Sequence, residues 1–225
     1  MYITQHMTRN PYTITRDTKI SEAARLLRDH NFRHLPVVDT TGCLLGMVTD
    51  RDLRSAWPSA IGAKRELSRE QAVVAGAPIS EIMSKEVVSL TVFSTLDDAL
   101  LLLDRKKVGA LPVLDNSKKV VGIFSTRDLI QAYRDLFGLG EKGSALVVLE
   151  NDGRPRPLTR IVQVMEEHDM HFSRIIQKKG KGPADTGGLI YIRVNTCNIH
   201  AVHSALEETG FKLFSNFKTM AGSNG

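Results

Sequence analysis

Two four-residue motifs bring a hydroxyl, an arginine and a carboxylate together in the same order. One is Thr49-Asp50-Arg51-Asp52 and the other is Ser125-Thr126-Arg127-Asp128. The final carboxylate can accept hydrogen bonds from both hydroxyls of a ribose, the first hydroxyl can bind ribose or phosphate, and the arginine can bind phosphate. The same spacing is that of a helix capping box, with aspartate in place of glutamate. The motifs therefore predict two helix starts, and such starts also favour a nearby anion.

The two motifs resemble each other because the chain contains an internal repeat. A shift of 76 residues lays Met7–Leu53 over Met83–Leu129 without a gap. The segment His34-Leu35-Pro36-Val37-Val38-Asp39 then falls on Ala110-Leu111-Pro112-Val113-Leu114-Asp115. Such a repeat indicates one supersecondary unit that occurs twice and packs against its copy. Two related halves leave two related clefts between them, an arrangement that suits ligand binding.

Each copy has the pattern β-α-β-β-α. In the first copy, apolar residues at helical spacing predict a helix from Ile20, and two apolar runs around an Asp/Thr/Gly turn predict a hairpin. The elements predicted there are a strand Tyr12–Thr15, a helix Ile20–Leu27, strands Leu35–Val38 and Cys43–Val48, and a helix from Asp50. Those predicted for the second copy are a helix through Asp104 opened by Ser94 or Thr95, strands Val113–Leu114 and Val120–Phe124, and a helix Thr126–Leu136. Between the copies, Glu66–Val74 is expected to be helical.

The pattern changes after the glycine-rich linker 138–143. The order becomes β-α-β-β-α-β, which is that of a ferredoxin-like unit. Its predicted elements are Ala145–Leu149, Leu158–Glu167, Phe172–Gln177, Leu189–Val194, Ile199–Glu208 and Phe211–Phe217. The predicted fold class is therefore α/β (α+β).

Composition narrows the function classes. The chain of 225 residues is 42% hydrophobic and 24% charged, which is typical of a globular protein. Its apolar runs, of which none is longer than Ala99–Leu103, are too short for a membrane span, and the N-terminus has no secretory pattern. Cys43 and Cys197 are too few and too far apart for a disulfide framework, which favours the cytoplasm. A net charge of +5 permits an anionic partner, but the densest basic stretch, Lys178–Lys181, is interpreted as a hairpin turn.

No residue set predicts catalysis or a metal. The chain has no nucleophile beside a base, no P-loop and no G-x-G-x-x-G, and Gly180-Lys181-Gly182 is too short for a phosphate loop. His200 and His203 have the spacing of a metal pair, as do His168 and His171, but no further ligands complete a site. We therefore expect no enzyme, no required cofactor and no metal.

The repeats resemble cystathionine-β-synthase (CBS) domains, two of which in tandem form a Bateman module. The resemblance rests on Leu-Pro-Val-h-Asp followed by Gly-h-h-Thr/Ser-x-x-Asp-Leu, where h is hydrophobic, in both copies. It implies that an adenosine-containing ligand binds in each cleft, with ribose on the Asp and Thr or Ser of one copy and adenine on the backbone before Leu-Pro of the other. One implied site joins Thr49, Arg51 and Asp52 to Val108, Gly109 and Ala110. The other joins Ser125, Arg127 and Asp128 to Phe32, Arg33 and His34.

The two implied sites need not take the same ligand. Arg33 and His34 of the first copy are replaced by Gly109 and Ala110 in the second. The first pair suits phosphate charge, whereas a glycine allows close backbone approach of a smaller or less charged ligand. A solvated surface arginine is the alternative interpretation of Arg33.

The segment Ser144–Phe217 resembles an ACT domain, a family in which an amino acid often binds at the turn after the first strand. The resemblance rests on a strand, a turn with Asp152, Arg154 and Pro155, and a glycine before the last strand. Arg156 and Pro157 stand at the glycine expected in that turn and the residue after it, although Gly153 could substitute. The resemblance thus implies amino-acid binding at Asp152 and Gly153, or a domain used only for dimerisation.

A CBS pair followed by an ACT domain is the arrangement of the AcuB-like acetoin-utilisation proteins, which the chain resembles along nearly its whole length. We expect a cytoplasmic, non-catalytic homodimer that senses AMP, ADP, ATP or S-adenosylmethionine and signals to an unidentified regulated protein. The alternatives are an amino-acid sensor with a structural CBS pair, a nucleic-acid-associated regulator, and an enzyme of unfamiliar type. The expected domains are 1–56 and 79–137 (CBS domains), 57–78 (connector), 138–143 (linker), 144–217 (ACT-like) and 218–225 (tail).

Overall fold

A computed structural model of the chain describes residues 1–56, 69–180 and 188–214. These residues form two compact units, the repeat unit Met1–Ala132 and the C-terminal unit from Tyr133 onward. Residues 57–68 of the expected connector, most of the predicted loop 178–188, the end of the last predicted strand and the tail lie outside the described residues. Within the described ranges, no helix has both the length and the apolar character needed to cross a bilayer.

The repeat unit holds two copies of the predicted pattern. Its strands are β1 (Thr8–Arg9), β2 (Ile14–Thr15), β3 (His34–Val38), β4 (Leu44–Thr49), β5 (Leu90–Thr91), β6 (Ala110–Leu114) and β7 (Val120–Ser125). Its helices are α1 (Ile20–Asp29), α2 (Asp50–Ala56), α3 (Arg69–Gly76), α4 (Leu96–Lys106) and α5 (Thr126–Phe137), of which α5 continues into the C-terminal unit. The helix starts predicted at Ile20, Asp50 and Thr126 are confirmed. The strand β2 is shorter than the predicted Tyr12–Thr15, and neither β1 nor the bounds of β5 were predicted.

Each copy builds a mixed sheet. In the first, β2 runs parallel to β3 and β3 pairs antiparallel with β4; in the second, the order is β1-β7-β6-β5. Asp39 tightens the first hairpin because its Oδ1 accepts hydrogen bonds from the backbone N–H groups of Thr41 and Cys43 at 2.8 and 2.9 Å. Asp115 does the same in the second, accepting from Ser117 N and Lys119 N. Both turns follow from an aspartate that offers the backbone a local acceptor.

The start of each copy crosses to the sheet of the other copy. β1 pairs antiparallel with β7, so that Thr8 lies opposite Ile123. In the same way Ser84 lies opposite Met47 of β4, and the two residues exchange backbone hydrogen bonds of 2.9 and 3.0 Å. Ile79, from the short 3₁₀ turn before Ser84, is fully buried in the core of the first copy. The packing of each copy therefore depends on a segment of the other.

Two glycines make room for this exchange. A Cβ at Gly46 would lie 2.8 Å from both the sulfur of Met83 and the carbonyl oxygen of Ser84. A Cβ at Gly122 would lie 2.6 Å from the sulfur of Met7, with the Thr8 carbonyl oxygen at 3.2 Å. The crossing segments therefore approach the two strands more closely than a side chain at these positions would allow.

The C-terminal unit is a four-stranded antiparallel sheet with two helices. Its elements are β8 (Ser144–Glu150), α6 (Pro157–Glu167), β9 (Phe172–Lys178), β10 (Leu189–Asn195), α7 (Ile199–Glu208) and β11 (Lys212–Leu213). The strand order is β11-β8-β10-β9, which is that of a ferredoxin-like unit. Alternate residues of β8 and β10 point into one core; these are Val147, Leu149, Ile190, Ile192 and Val194. The predicted order of elements is thus confirmed in the described residues.

Arg174 of β9 holds the carboxyl end of α5 within this unit. Its guanidinium donates to the carbonyl oxygens of Leu136 and Asp135, the latter at 2.8 Å, and pairs with Glu141 at 3.1 Å. Gly138 lies beneath this guanidinium at φ +63°, where a Cβ would collide with it. The start of the expected linker is therefore tied to the sheet.

Alanine at the two tight glycines should destabilise the repeat unit unequally. Gly46→Ala forces a backbone carbonyl to move, whereas Gly122→Ala presses mainly on a flexible methionine. We therefore expect Gly46→Ala to lower the unfolding free energy more than Gly122→Ala, with both losses in the range of about 1–3 kcal/mol. Gly76→Ala is the control, because nothing lies within 4 Å of its added Cβ. Denaturant unfolding measures all three, and a Gly46→Ala loss no larger than that of the control would contradict the close approach.

Candidate functional site

The hydroxyl and carboxylate of each motif form a helix cap. Asp52 Oδ2 accepts hydrogen bonds from Thr49 N at 2.8 Å and Thr49 Oγ1 at 2.7 Å, and Asp52 N–H returns a bond of 3.3 Å to that hydroxyl. Ser125 and Asp128 repeat the arrangement with distances of 2.7, 2.7 and 3.4 Å. The capping interpretation of both motifs is confirmed, and the caps fix each carboxylate where a strand ends and a helix begins.

A cavity of about 670 Å³, which we call the first cleft, lies between the two copies at the first of these motifs. Its two walls come from different copies, as the repeat predicted. It is lined by Arg33, His34, Met47, Thr49, Asp50, Arg51, Asp52 and Arg54 of the first copy and by Ser84, Glu86, Val87, Val88, Lys107, Val108, Gly109 and Ala110 of the second. All six residues named for the first implied site therefore line one cavity.

Arg33 and His34, named for the other implied site, line this cleft as well. The start of β3 lies against the start of β6, because a Cβ at Gly109 would stand only 3.1 Å from Cε1 and Nε2 of His34. The imidazole therefore fills the space beside Gly109 that the sequence suggested for close ligand approach. A ligand on the Val108–Ala110 backbone would rest beside this ring.

The second motif has the same backbone setting as the first. Thr126 N–H donates to the carbonyl of Gly109 at 3.0 Å, as Asp50 N–H donates to Arg33 at 3.1 Å. Ser125, Arg127 and Asp128 thus stand at the end of β7 and the start of α5, opposite the start of β6. Phe32 lies in an aromatic cluster, with its ring centroid 5.6 Å from Tyr12 and 5.2 Å from His30. The binding roles given to these residues stay a prediction.

Four charged residues of the first cleft were not singled out from the sequence. Asp50 and Arg54 form an ion pair of 2.6 Å on the wall of the first copy. Glu86 and Lys107 line the wall of the second copy, and Lys107 has a left-handed backbone with φ +53°. Proximity in sequence was an available signal, since Arg54 follows the first motif and Lys107 directly precedes Val108. The cleft therefore carries more charge than the two motifs alone supply.

His34 is the histidine of this cleft. Burial lowers its pKa below the ordinary value of 6.5, and the Arg33 guanidinium lowers the pKa further, whereas the Asp52 carboxylate acts in the opposite direction. The net effect favours a neutral imidazole at neutral pH. A neutral ring donates one hydrogen bond from one nitrogen and accepts one at the other, and the tautomer decides which nitrogen has which role.

The carboxylate named for amino-acid binding is already paired. Asp152 accepts two hydrogen bonds from Arg160 at 2.8 and 2.9 Å and one from the backbone of Arg154 at 3.0 Å. Burial alone would raise the pKa of Asp152, but these bonds and the two guanidiniums hold it below its ordinary value. Gly153 has φ +73° with open space around it, and Arg156 itself adopts a left-handed backbone before Pro157. Asp152 would bind an amino acid's ammonium group only in competition with Arg160.

Among the described residues, the paired histidines do not belong to a larger cluster of metal-ligating side chains. The His200 and His203 rings lie 6.4 Å apart on α7. In the part of the chain that the structure describes, no group of three or more His, Cys, Asp or Glu side chains is placed to hold a metal ion.

Comparison with known protein families matches the CBS domain twice, at residues 3–59 and 79–135. Among curated proteins, an uncharacterised protein of Methanocaldococcus jannaschii is 29% identical over 207 residues, which cover 86% of this chain. The match spans only 47% of that longer relative.

Three solved structures resemble the repeat unit. AcuB of Vibrio cholerae, a protein assigned to acetoin utilisation, is 28% identical with a TM-score of 0.52 and covers 63% of this chain and 96% of its own. CBSX2 in complex with AMP is 25% identical with a TM-score of 0.51 over 60% of this chain and 98% of its own. A CBS domain pair that holds 5′-methylthioadenosine and S-adenosyl-L-methionine has the same identity and coverage with a TM-score of 0.50. None of the three covers two thirds of this chain, and the ACT-like assignment of the C-terminal unit stays a prediction.

The environment of His34 predicts a pH dependence of stability. The unfolded chain binds a proton at this residue more readily than the folded chain, so the unfolding free energy should fall as pH decreases through about 6.5 and on to the folded pKa. Arg33→Ala should raise the His34 pKa and Asp52→Asn should lower it, both measurable by NMR titration of the imidazole. A pKa that does not move in either variant would contradict the stated causes, and His171, which is exposed, serves as the internal reference.

Proposed function

The chain belongs to the family of CBS-domain proteins, and we propose from that premise that it is a non-catalytic regulatory protein that senses an adenosine-containing ligand. The ligand binds in the clefts between the two copies of the repeat. AMP, ADP, ATP and S-adenosylmethionine are the candidates, and the readout is an unidentified regulated protein. No cofactor is required for this role.

One observation supports the proposal above the others: the first cleft brings the ribose-binding chemistry of one copy to the backbone before Leu-Pro of the other. Asp52 and Thr49 lie on one wall and Val108, Gly109 and Ala110 on the other. The cavity of about 670 Å³ falls within the range of small-molecule sites. In this assignment Asp52 binds the ribose, Arg33 and Arg51 face phosphate, and adenine lies on the Val108–Ala110 backbone beside the His34 ring. Ser125, Arg127, Asp128 and Phe32 supply the corresponding contacts of the second cleft.

The solved relatives support the ligand class. CBSX2 holds AMP, and another CBS pair holds 5′-methylthioadenosine and S-adenosyl-L-methionine. An adenosine group is common to all three compounds. Among residues 1–56, 69–180 and 188–214, Arg33, Arg51 and Lys107 of the first cleft have no ion-pair partner, which favours a phosphorylated ligand there.

Binding becomes a signal because the ligand bridges two copies. A ligand shifts the angle between them only by its difference in affinity for the two arrangements, typically about 1–3 kcal/mol. The helix α5 begins at the second motif and ends where Arg174 holds it. We assign this helix as the route by which occupancy reaches the C-terminal unit.

We assign the C-terminal unit as an ACT-type domain that dimerises the chain. The pairing of Asp152 with Arg160 favours this role over amino-acid sensing through Asp152 and Gly153, the alternative function. The resemblance to AcuB supports an association with acetoin utilisation, in a cytoplasm consistent with the two free thiols Cys43 and Cys197.

A ligand panel tests the adenosine assignment. At about 100 times its dissociation constant, a bound compound should add roughly 2.7 kcal/mol to the unfolding free energy. We expect AMP, ADP, ATP or S-adenosylmethionine to raise the melting temperature, and Asp52→Asn to abolish the shift from the first cleft. Asp128→Asn is the matched variant in the second copy. If no adenosine compound shifts the wild-type protein, the CBS pair is structural.

Hydrogen exchange distinguishes the proposed function from amino-acid sensing by the C-terminal unit. Amino acids should give no protection from hydrogen exchange at the turn after β8 in the full chain. Asp152→Asn should reduce the stability of the C-terminal unit, because removing the charged partner of half-buried Arg160 costs about 1–3 kcal/mol. Protection by an amino acid that this variant loses would favour amino-acid sensing instead.

A further inference from the structure

A second cavity of about 570 Å³ lies on the first copy, beside the first cleft. It opens between α1 and α2, and we call it the helix cavity. Leu27 and Leu53, both buried, form its floor, and Arg28, Arg33, Arg54 and Asp50 lie around it. Phe32 and Arg33, to which the proposed function gives ligand contacts, also line this cavity, but that function places no ligand group between α1 and α2.

The helix cavity shares a wall with the first cleft. Arg33, Asp50 and Arg54 line both cavities. These residues are held together, because Asp50 N–H donates to the carbonyl of Arg33 at 3.1 Å and the Asp50 carboxylate pairs with Arg54 at 2.6 Å. A ligand in the cleft therefore has the guanidiniums of Arg33 and Arg54 between it and the helix cavity.

The lining of the helix cavity is positively charged. It carries three arginines against one aspartate, and that aspartate is already paired with Arg54. Arg28 and Arg33 have no ion-pair partner within residues 1–56, 69–180 and 188–214. The guanidinium groups are exposed above the apolar floor, so an anion can reach them from solvent.

The second copy lacks this charge. The shift of 76 residues replaces Arg28, Arg33 and Arg54 with Asp104, Gly109 and Ile130. Lys107 and Asp104 are the charges left at the matching positions, and they cancel. The cationic cavity is therefore a property of the first copy and not of the repeat.

We propose that the helix cavity is an anion subsite that binds phosphate groups. The phosphates are either the distal phosphates of a nucleotide whose ribose lies in the first cleft, or free inorganic polyphosphate. The first case rests on the proposed function and makes the first cleft selective for nucleoside triphosphate over monophosphate. Arg28, which the cleft itself does not include, is the residue that carries this selectivity.

Calorimetric titration of the full chain with AMP, ATP and inorganic tripolyphosphate tests the subsite. Arg28→Asp installs the residue of the second copy, and Arg25→Asp is the control. Arg25 is exposed on the same helix, and it is not among the residues that line either cavity. Both variants change the net charge equally, so a difference between their affinities shows that the position of the arginine matters.

Wild-type protein should bind ATP at least about tenfold more tightly than AMP, since one added charge-assisted hydrogen bond has that effect. Arg28→Asp should remove this advantage of ATP over AMP. The affinity for AMP should stay within about twofold of the wild-type value, which is a small change in binding free energy. Arg25→Asp should preserve the advantage. Tripolyphosphate binding that Arg28→Asp abolishes and Arg25→Asp preserves would instead support the subsite with free polyphosphate as its ligand.

Equal affinity for AMP and ATP together with no tripolyphosphate binding overturns the subsite while leaving the adenosine assignment intact. Equal losses in Arg28→Asp and Arg25→Asp overturn it too, because they show a general charge effect. Failure of AMP and ATP alike to bind removes the nucleotide case and leaves S-adenosylmethionine as the candidate of the proposed function, and the tripolyphosphate titration then decides the subsite alone.

Discussion

The repeat unit depends on backbone hydrogen bonds that neither copy can complete by itself. The first N–H of α1, at Ile20, donates to Ala77 at 2.9 Å, and the first N–H of α4, at Leu96, donates to Met1 at 3.0 Å. A buried N–H without an acceptor costs about as much as a lost hydrogen bond, so α4 requires the start of the first copy and α1 requires the residues directly before the second copy. The same segments continue into the crossed strand pairs at Thr8 and Ser84. This mutual requirement fixes how the copies face each other, and so it creates the cleft between them.

In the first cleft, a carboxylate that stabilises a helix start also faces a cavity that could hold a ligand. The Thr49–Asp52 cap is a local requirement of α2, and the carboxylate is held rigid by it. Because the cap lies at the edge of an inter-copy space, the fixed carboxylate also faces a cavity. A binding site can therefore evolve at this position by changes in the residues around the cap. The two copies differ at such residues, since Arg33, His34 and Arg54 of the first copy correspond to Gly109, Ala110 and Ile130 of the second. The symmetric frame is thus compatible with chemically different clefts.

Much of this arrangement could be predicted from periodicity and from the repeat. Helix starts at Ile20 and Thr126 follow from local apolar spacing and capping, and six residues of the first cleft follow from the resemblance of the repeats to CBS domains. The crossed pairing of Thr8 could not be predicted, because a two-residue edge strand has no periodic signal of its own. The position of His34 against Gly109 also escaped prediction, since it depends on two strand starts that are far apart in sequence. Arg28 lies on a helix face that local patterning marks only as exposed, and its neighbours in space come from a different element.

The exchange of segments also bears on the origin of the chain. A single copy would leave its helix start and one strand edge without partners, and a second molecule of the same copy could supply both. Such a pair would be a symmetric dimer with swapped ends, and its assembly would depend on concentration. Joining two copies in one chain replaces that encounter with an intramolecular one at high effective concentration. Fusion also allows the two copies to differ in sequence, because each can then mutate alone. In a symmetric dimer of identical chains, arginines such as Arg28 and Arg54 would have been present in both halves.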